Sequence, residues 1–257
     1  MVGTSEFDKL IMKKPLFVDK TLFIKELIES PDEVTVILRP RRFGKTTNLT
    51  MLKSFLSFGA LPESFKDFAI SKDVKFVETH CGKYPVVLLD LKDCKGKNWK
   101  DTLELIWQAI RKMVNRHSEE LKTELLEVKR DVDYGTSALP SAKSDVILSL
   151  DWLINALYKK YKQEVIVLID EYDAAINHAF RKGFYSEASS FFANFYSSAL
   201  KGNNSLKKAC LVGIVEFRAG GVLSGWNDYS VYSVASQKFS KFFGFTEDEI
   251  KKYAGRH

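Results

Sequence analysis

Apolar and polar residues follow two recurring patterns along the chain. Four short apolar runs, rich in β-branched residues and bounded by turn or polar residues, predict buried β-strands. They occupy residues 34–38, 86–89, 165–169 and 209–214. Between them lie longer segments in which apolar residues recur at spacings of three and four, the pattern typical of amphipathic helices.

These longer segments predict helices that alternate with the strands. The first lies within residues 17–29, where Asp19 or Thr21 would cap its start, and the second begins near Lys45. The other three have their apolar stripes within residues 99–113, 146–161 and 191–199. Residues 131–140, which include Asp, Gly and Pro, predict a loop.

The predicted order is helix, strand, helix, strand, two helices, strand, helix and strand. Apolar strands that alternate with amphipathic helices predict an α/β fold with a mostly parallel sheet sandwiched between helices. Ligands of such folds bind at the carboxyl ends of the strands. The residues that follow each predicted strand are therefore the candidates for chemistry.

Composition narrows the class of protein. Of the 257 residues, 45% are apolar and 28% are charged, which is typical of a folded chain. The apolar runs fall far short of the ~20 residues that cross a bilayer. Glu6, Asp8 and Lys9 stand where a secretory signal would be apolar. We therefore expect a cytoplasmic or nuclear protein with no membrane segment.

Charge and cysteine usage add two weaker indications. A net charge of +6 favours contact with nucleotides, nucleic acid or acidic lipid, although a solvated basic surface without such a partner gives the same number. Cys81, Cys94 and Cys210 show no C-x-x-C spacing and the chain has only four histidines, so we expect buried cysteines and no zinc site. A metal is expected only beside a bound phosphate.

The first predicted strand leads into an arginine-rich loop that ends in Gly44-Lys45-Thr46. The phosphate-loop pattern G-x-x-x-x-G-K-[ST] places backbone N–H groups and a helix N-terminus around an anionic phosphate. Lys45 would reach the β- and γ-phosphates, and Thr46 would bind Mg²⁺. Arg39 occupies the first glycine position, and an ordinary strand-to-helix turn is the alternative. The candidate nucleotide-binding residues are Arg39, Pro40, Arg41, Arg42, Phe43, Gly44, Lys45, Thr46 and Thr47.

The third predicted strand ends in two acids, Asp170 and Glu171, as a Walker B segment does. Asp170 would hold Mg²⁺ through water, and Glu171 would face the γ-phosphate and polarise the attacking water. The alternative is that both acids stabilise the positive end of a helix dipole. Because the two motifs follow two separate buried strands, the sequence favours a P-loop NTPase with Lys45 and Glu171 as catalytic residues.

Several motifs together resemble the predicted AAA-ATPase-like domain family. The resemblance covers nearly the whole chain, so we expect one domain over residues 1–257 with an AAA-like ATPase core. It implies ATP and Mg²⁺ as ligands, and an arginine at position 39 is usual in the family. The motifs are Asp19-Lys20-Thr21, residues 39–46, Tyr84-Pro85-Val86-Val87, Asp170-Glu171-Tyr172-Asp173, residues 223–227 and residues 243–247.

Two departures from the family pattern shape the expected activity. The family tends to carry Thr-Gly-Ile where this chain has Val212-Gly213-Ile214, and a valine cannot contact the γ-phosphate as a sensor. Thr246 and Glu249 form a capping box, but the chain stops at His257. The family continues into lid helices and often a PD-(D/E)-x-K nuclease, so we expect these parts to be missing here.

We therefore expect Mg²⁺-dependent ATP binding with slow hydrolysis. The alternative is a nucleotide-gated switch or a nucleic-acid-binding regulatory module with little or no ATPase activity. The family implies a nuclease domain as a partner, and a second copy of the chain is a separate candidate partner. Arg41 and Arg42 would contact phosphate or nucleic acid, or pair with neighbouring acids. Arg218 is a weaker candidate for a catalytic arginine than for a solvated loop residue. Asp173 would either orient the acidic pair or cap the next helix, and we expect the cap.

Overall fold

The structure, a computed structural model, describes residues 6–13, 17–121, 143–216 and 229–254. Five strands form one sheet in the order β2-β3-β4-β1-β5, and every neighbouring pair is parallel. The predicted α/β class with a parallel sheet between helices is thus confirmed. The strands are β1 (Val34–Leu38), β2 (Val86–Asp90), β3 (Val165–Asp170), β4 (Leu206–Gly213) and β5 (Tyr229–Tyr232).

Helices precede, connect and follow these strands. Short 3₁₀ turns at Glu63–Phe65, Ala69–Lys72 and Ser240–Phe242 complete the connections. Among the described residues, no helix is both long and apolar enough to span a membrane. The helices are α1 (Phe7–Met12), α2 (Leu22–Ile28), α3 (Lys45–Leu56), α4 (Val74–His80), α5 (Trp99–Asn115), α6 (Lys143–Tyr161), α7 (Ala174–Lys182), α8 (Tyr185–Leu200) and α9 (Glu247–Ala254).

Alternate residues of each strand pack into two separate cores, one on each face of the sheet. In β3, Val165, Val167 and Ile169 belong to the core covered by α5, α6 and α8. Ile166 and Leu168 belong to the core covered by α1 to α4 and by aromatic residues near the C-terminus. Burial on both faces explains why the strands are continuous apolar runs and not alternating ones.

The predicted strands and the longer predicted helices are confirmed, with α3 beginning at Lys45. Three elements, α1, α4 and β5, were not predicted, and α7 was expected only as a helix of undefined length after Asp173. The three helices have six, seven and nine residues, too few for a clear apolar stripe. Strand β5 is a half-buried edge strand of four residues that mixes Tyr, Ser and Val.

The cysteines and the C-terminal capping box agree with the predictions from the sequence. Cys81, Cys94 and Cys210 are free and buried, as predicted. The capping box is confirmed, because Thr246 N donates to Glu249 Oε2 at 2.8 Å and Glu249 N donates to Thr246 Oγ1 at 3.3 Å. The predicted loop at 131–140 and Arg218 lie outside the described residues.

Candidate nucleotide-binding site

Residues 39–46, here called the 39–46 loop, leave β1 at the carboxyl edge of the sheet and lead into α3. Arg39 N still donates to Gly213 O of β4 at 3.0 Å, so the loop starts on the sheet itself. The chain then turns through two left-handed residues, Arg42 at φ 70° and Gly44 at φ 76°. Gly44 is the N-cap of α3, and no described side chain caps this helix. The N–H groups of its first turn therefore remain available to an anion.

Lys45 is held beneath the loop at the start of α3. The residue is only 5% exposed, and its Nζ donates to the carbonyl oxygens of Arg39 and Pro40, both at 3.1 Å. The same Nζ lies 3.9 Å from Glu171 Oε1. The loop carbonyls thus fix the ammonium group at the carboxyl edge of the sheet, where a phosphate oxygen could approach it.

Thr46 and Asp170 meet across the carboxyl edge of the sheet. Thr46 Oγ1 donates to Asp170 Oδ2 at 2.6 Å. Burial raises the pKa of Asp170 to about 6, although the hydrogen bond from Thr46 opposes this shift. The second carboxylate oxygen, Oδ1, is buried and has no hydrogen-bond partner among the described residues. Asp170 therefore keeps one acceptor unused at the end of its strand.

Glu171 follows Asp170 in a left-handed backbone conformation, with φ 53°. Such a conformation costs a residue other than glycine ~1–2 kcal/mol. Its side chain is 23% exposed and faces Lys45. Because β4 lies between β1 and β3, the two loops start roughly 10 Å apart. The long side chains of Lys45 and Glu171 span that separation, so that Nζ and Oε1 lie 3.9 Å apart.

These residues fit a magnesium–nucleotide complex. Mg²⁺ prefers oxygen ligands and commonly shares one or two protein groups with phosphate oxygens. The Thr46 hydroxyl and the Asp170 carboxylate, with its unpartnered Oδ1, supply such groups. The uncapped start of α3 and the ammonium of Lys45 suit a polyphosphate.

Comparison with known proteins identifies the family. The family model described as "Predicted AAA-ATPase" matches residues 1–223, which is most of the chain. The chain belongs to the AAA-ATPase-like family. Searches of curated proteins and of solved structures found no match. Membership agrees with the parallel sheet described above and indicates nucleotide binding for this AAA-ATPase-like domain.

Arg39 of the AAA-ATPase-like domain turns away from the loop that it begins. It is 3% exposed, and its Nη1 donates to Leu38 O at 2.8 Å and to Tyr232 O at 2.9 Å. Its guanidinium carbon lies 5.5 Å from the centroid of the Phe243 ring. The side chain predicted to bind nucleotide therefore braces β1 against β5, and only its carbonyl contacts Lys45.

The other loop residues are mostly open to solvent. Pro40, Arg41 and Arg42 are exposed. Neither arginine pairs with a described acid, so the described part of the chain does not show the salt-bridge alternative. Phe43 is 37% exposed and packs on Gly244, whose N–H donates to Phe43 O at 3.2 Å. A Cβ on Gly244 would lie 3.0 Å from the Phe43 ring.

Thr47 and Val212 lie farther from the exposed part of the loop. Thr47 is half-buried within α3, and its carbonyl oxygen accepts from Thr50 Oγ1 at 3.1 Å. Val212 is fully buried in β4, opposite Asp170 on one side and Ile37 on the other. As the sequence indicated, β4 presents no polar side chain at this position.

Asp173 occupies the position before α7, but the predicted helix cap is wrong. Its carboxylate makes no capping hydrogen bond to α7. Instead Oδ2 accepts from the backbone N–H groups of Ile214 and Val215, at 3.1 and 2.8 Å. The same oxygen accepts from Asn177 Nδ2 at 2.7 Å. Asp173 therefore ties the end of β3 to the chain that leaves β4.

Two further features, an acid beside Asp170 and a buried lysine, were not predicted from the sequence. Asp90 ends β2 and pairs in register with Asp170, which adds a third acid to this edge. It could have been found, because it follows an apolar run just as Asp170 does. Lys20 is buried and its Nζ contacts Lys241 O and the Glu249 carboxylate, both at 2.6 Å. No local sequence signal links residues so far apart.

Proposed function

We propose that this domain binds Mg·ATP at the carboxyl edge of its sheet and hydrolyses it slowly. One observation carries the proposal: Lys45, Thr46, Asp170 and Glu171 converge from two strand ends that are separated in sequence by more than a hundred residues. Family membership supports the nucleotide, and the uncapped start of α3 supports a polyphosphate.

Each of these side chains would have a distinct task. The first-turn N–H groups of α3 and the Lys45 ammonium would bind phosphate oxygens. Thr46 and Asp170 would hold Mg²⁺, which supplies neutralisation of phosphate charge when it is bound. Glu171 would orient a water molecule and accept its proton. The left-handed backbone at Glu171 supports this role, because strained conformations persist mainly where function requires them.

Slow turnover follows from what surrounds this set. Val212 offers no hydrogen bond to the γ-phosphate from β4. Among the described residues, no arginine side chain contacts Lys45, Asp170 or Glu171, and a transition-state arginine is worth ~10³–10⁵-fold in related NTPases. We expect a rate well below the typical enzyme median of ~10 s⁻¹.

A second candidate is a switch that binds ATP and barely hydrolyses it. The burial of Val212 in the apolar core favours this alternative, because β4 then has no side chain at its end that could bind the γ-phosphate as a sensor. The exposed Arg41 and Arg42 support a further possibility, contact with nucleic acid or with a nuclease partner domain. Binding that weakens with log salt at ~0.9 per phosphate contact on duplex DNA would support nucleic-acid contact.

Three proteins test the proposal: the natural chain, Lys45→Ala and Glu171→Gln. Calorimetry with Mg·ATP, repeated with EDTA, measures binding, and phosphate release measures turnover. We expect Lys45→Ala to lose binding, and Glu171→Gln to keep binding but release phosphate at least ~10-fold more slowly. Equal ATP affinity in the natural chain and Lys45→Ala would refute the site. One common rate for all three proteins would favour the switch.

A further inference from the structure

The turn between β3 and α7 carries Glu171, and its neighbours are tied to other parts of the sheet. The turn closes when Ala174 N donates to Glu171 O at 2.9 Å. On one side, Asp170 still belongs to β3. On the other side, Tyr172 and Asp173 make hydrogen bonds that reach β4 and α8. Glu171 is therefore a strained residue held between two fixed points.

Tyr172 is fixed by three hydrogen bonds to two different elements. Its N–H donates to Val212 O of β4 at 3.2 Å. Its carbonyl accepts from Tyr196 Oη of α8 at 2.9 Å, and its own Oη donates to Val215 O at 2.8 Å. The residue is 1% exposed, so these bonds are shielded from water. Both ends of Tyr172, backbone and phenol, are thus anchored.

Asp173 adds an anchor of a different kind. It is 1% exposed, and its Oδ2 accepts from the N–H groups of Ile214 and Val215 and from Asn177 Nδ2. Gly213 makes this approach possible, because a Cβ there would lie 2.5 Å from Asp173 Oδ1 and 2.6 Å from the Tyr172 ring. Any larger residue at position 213 would push the turn away from β4.

We propose that Tyr172 and Asp173 are positioning residues that hold Glu171 toward Lys45 by latching its turn to the residues after β4. Without the latch, the turn would relax from its left-handed conformation and Glu171 would leave its place. This inference rests on the proposed hydrolysis. The N–H groups of Ile214 and Val215, just after β4, would then affect the reaction only through Asp173 and the position of Glu171.

The alternative is that these bonds merely stabilise the fold. A control residue separates the two ideas. Asp32 lies before β1 at the opposite edge of the sheet, roughly 16 Å from the 39–46 loop along the strand. It accepts from Ser230 Oγ and Tyr232 Oη, both at 2.6 Å. Removal of Asp32 should cost stability as removal of Asp173 does, but it should not disturb Glu171.

The experiment compares single-turnover phosphate release, Mg·ATP affinity and thermal stability in matched variants. Asp173→Ala should lower the rate at least ~10-fold, because misplacement of a reacting group by ~1 Å can cost ~100-fold. Its affinity for Mg·ATP should stay within ~3-fold. Asp173→Asn retains one acceptor oxygen and should recover most of the rate. Asp32→Ala should lower the melting temperature but leave the rate within ~2-fold.

Combination with Glu171→Gln provides the decisive readout. If Asp173 acts through Glu171, Asp173→Ala should slow Glu171→Gln no further, within ~2-fold. A further loss in the double variant, an unchanged rate in Asp173→Ala, or an equal loss in Asp32→Ala would overturn the inference. If Asp173→Ala does not fold, Tyr172→Phe removes the bond to Val215 O and keeps the aromatic ring. That variant should slow release ~3-fold or more, and an unchanged rate would refute the latch.

Failure of the proposed function would show itself separately. If the natural chain releases phosphate no faster than Glu171→Gln, Glu171 is not a base. The positioning inference then falls with the hydrolysis on which it depends. If the natural chain exceeds Glu171→Gln and Asp173→Ala matches the natural chain, hydrolysis stands and only the latch is refuted.

Discussion

The carboxyl and amino ends of the parallel strands, here called the two edges of the sheet, each have a buried lysine beside loop carbonyls and a largely buried carboxylate. They differ in how completely these groups are hydrogen-bonded. At the carboxyl edge, Lys45 donates to two loop carbonyls and Asp170 is a buried carboxylate. At the amino edge, the buried Lys208 also contacts two loop carbonyls, that of Ser30 and that of Asp32, the latter at 2.6 Å. A largely buried carboxylate, Asp32, lies beside it.

The two carboxylates differ in how completely they are satisfied. Burial alone would raise the pKa of Asp32, but four donors outweigh it and hold that pKa well below its ordinary range. Those donors are Ser230, Tyr232, Ser30 and Lys238. Asp170 has one described donor, Thr46, and its pKa rises to about 6. One carboxylate is thus stabilised as an anion by the fold, and the other is left in need of a cation.

The difference indicates what each edge is for. A network in which every polar group is paired stabilises a fold, whereas an incomplete one costs stability. Proteins depart from local consistency mainly at functional sites. The amino edge therefore belongs to the scaffold and the carboxyl edge to the ligand, and substitutions can test that division.

The largest effect should separate the two lysines. Lys45→Ala removes a cation that faces the ligand, and the loss of ~3 kcal/mol of charged hydrogen bonding corresponds to ~100-fold weaker Mg·ATP binding. Lys208→Ala instead should lower the free energy of unfolding by about 3 kcal/mol and leave affinity within ~3-fold. Calorimetry and urea unfolding measure the two quantities. If Lys45→Ala and Lys208→Ala had equal effects on Mg·ATP affinity and equal effects on the free energy of unfolding, the two edges would not differ as described.

The two carboxylates should respond to substitution with opposite signs. Without nucleotide and with EDTA at pH 8, we expect Asp32→Asn to destabilise the protein by about 2 kcal/mol. Asp170→Asn should stabilise it by about 2 kcal/mol, because it relieves a buried, under-satisfied charge. Asp170→Asn should at the same time weaken Mg²⁺-dependent ATP binding.

The pH dependence follows from the directions of the shifts. The pKa of Asp32 is lowered from its ordinary value of 3.8, so its stabilisation is present above about pH 4 and is lost as the pH falls below that value. The pKa of Asp170 is raised to about 6, so its cost appears as the pH rises through 4 to 6. The advantage of Asp170→Asn should thus disappear near pH 4. Urea unfolding from pH 4 to 8 that showed the same sign for both variants would contradict the contrast.

The sequence revealed the carboxyl edge better than the amino edge. Lys45, Thr46, Asp170 and Glu171 each follow an apolar strand, and parallel strands bring such residues together at one edge. Local pattern was therefore sufficient to find them. The Asp32 network depends on Ser230, Tyr232 and Lys238, which lie about two hundred residues away. No periodicity encodes such a contact.

The pattern of apolar and polar residues also could not predict the direction in which a side chain points. Arg39 stands in the predicted binding segment, yet its guanidinium lies against Tyr232 and Phe243. Asp173 stands at a helix start, yet its carboxylate binds the chain after β4. Each of these side chains is buried and hydrogen-bonded to a group distant in sequence. It therefore does not take the role that its local sequence suggests, nucleotide binding for Arg39 and helix capping for Asp173.

Substitution of Arg39 should have a smaller effect and tests whether its side chain contributes to stability or to nucleotide binding. Arg39→Ala removes charged hydrogen bonds to Leu38 O and Tyr232 O, so the free energy of unfolding should fall by about 2 kcal/mol. Affinity for Mg·ATP should stay within ~3-fold, because the guanidinium does not face Lys45. Arg41→Ala is the matched control and should leave stability unchanged. If Arg39→Ala lost tenfold in Mg·ATP affinity and kept its stability, the Arg39 side chain would have to contact the nucleotide.

The smallest effect concerns backbone strain at each edge. Arg42 has φ 70° at the carboxyl edge, and Lys162 has φ 53° just before β3 at the amino edge. Glycine removes a steric cost of ~1–2 kcal/mol at such a position but adds an entropic cost of ~0.5–1 kcal/mol. Arg42→Gly and Lys162→Gly should therefore each raise the free energy of unfolding by about 0.5 kcal/mol. Lys162→Gly should leave Mg·ATP affinity unchanged, whereas any loss of affinity in Arg42→Gly reports on the exposed guanidinium, because the backbone geometry is preserved. A loss of Mg·ATP affinity in Lys162→Gly would mean that the left-handed backbone at the amino edge also contributes to ligand binding.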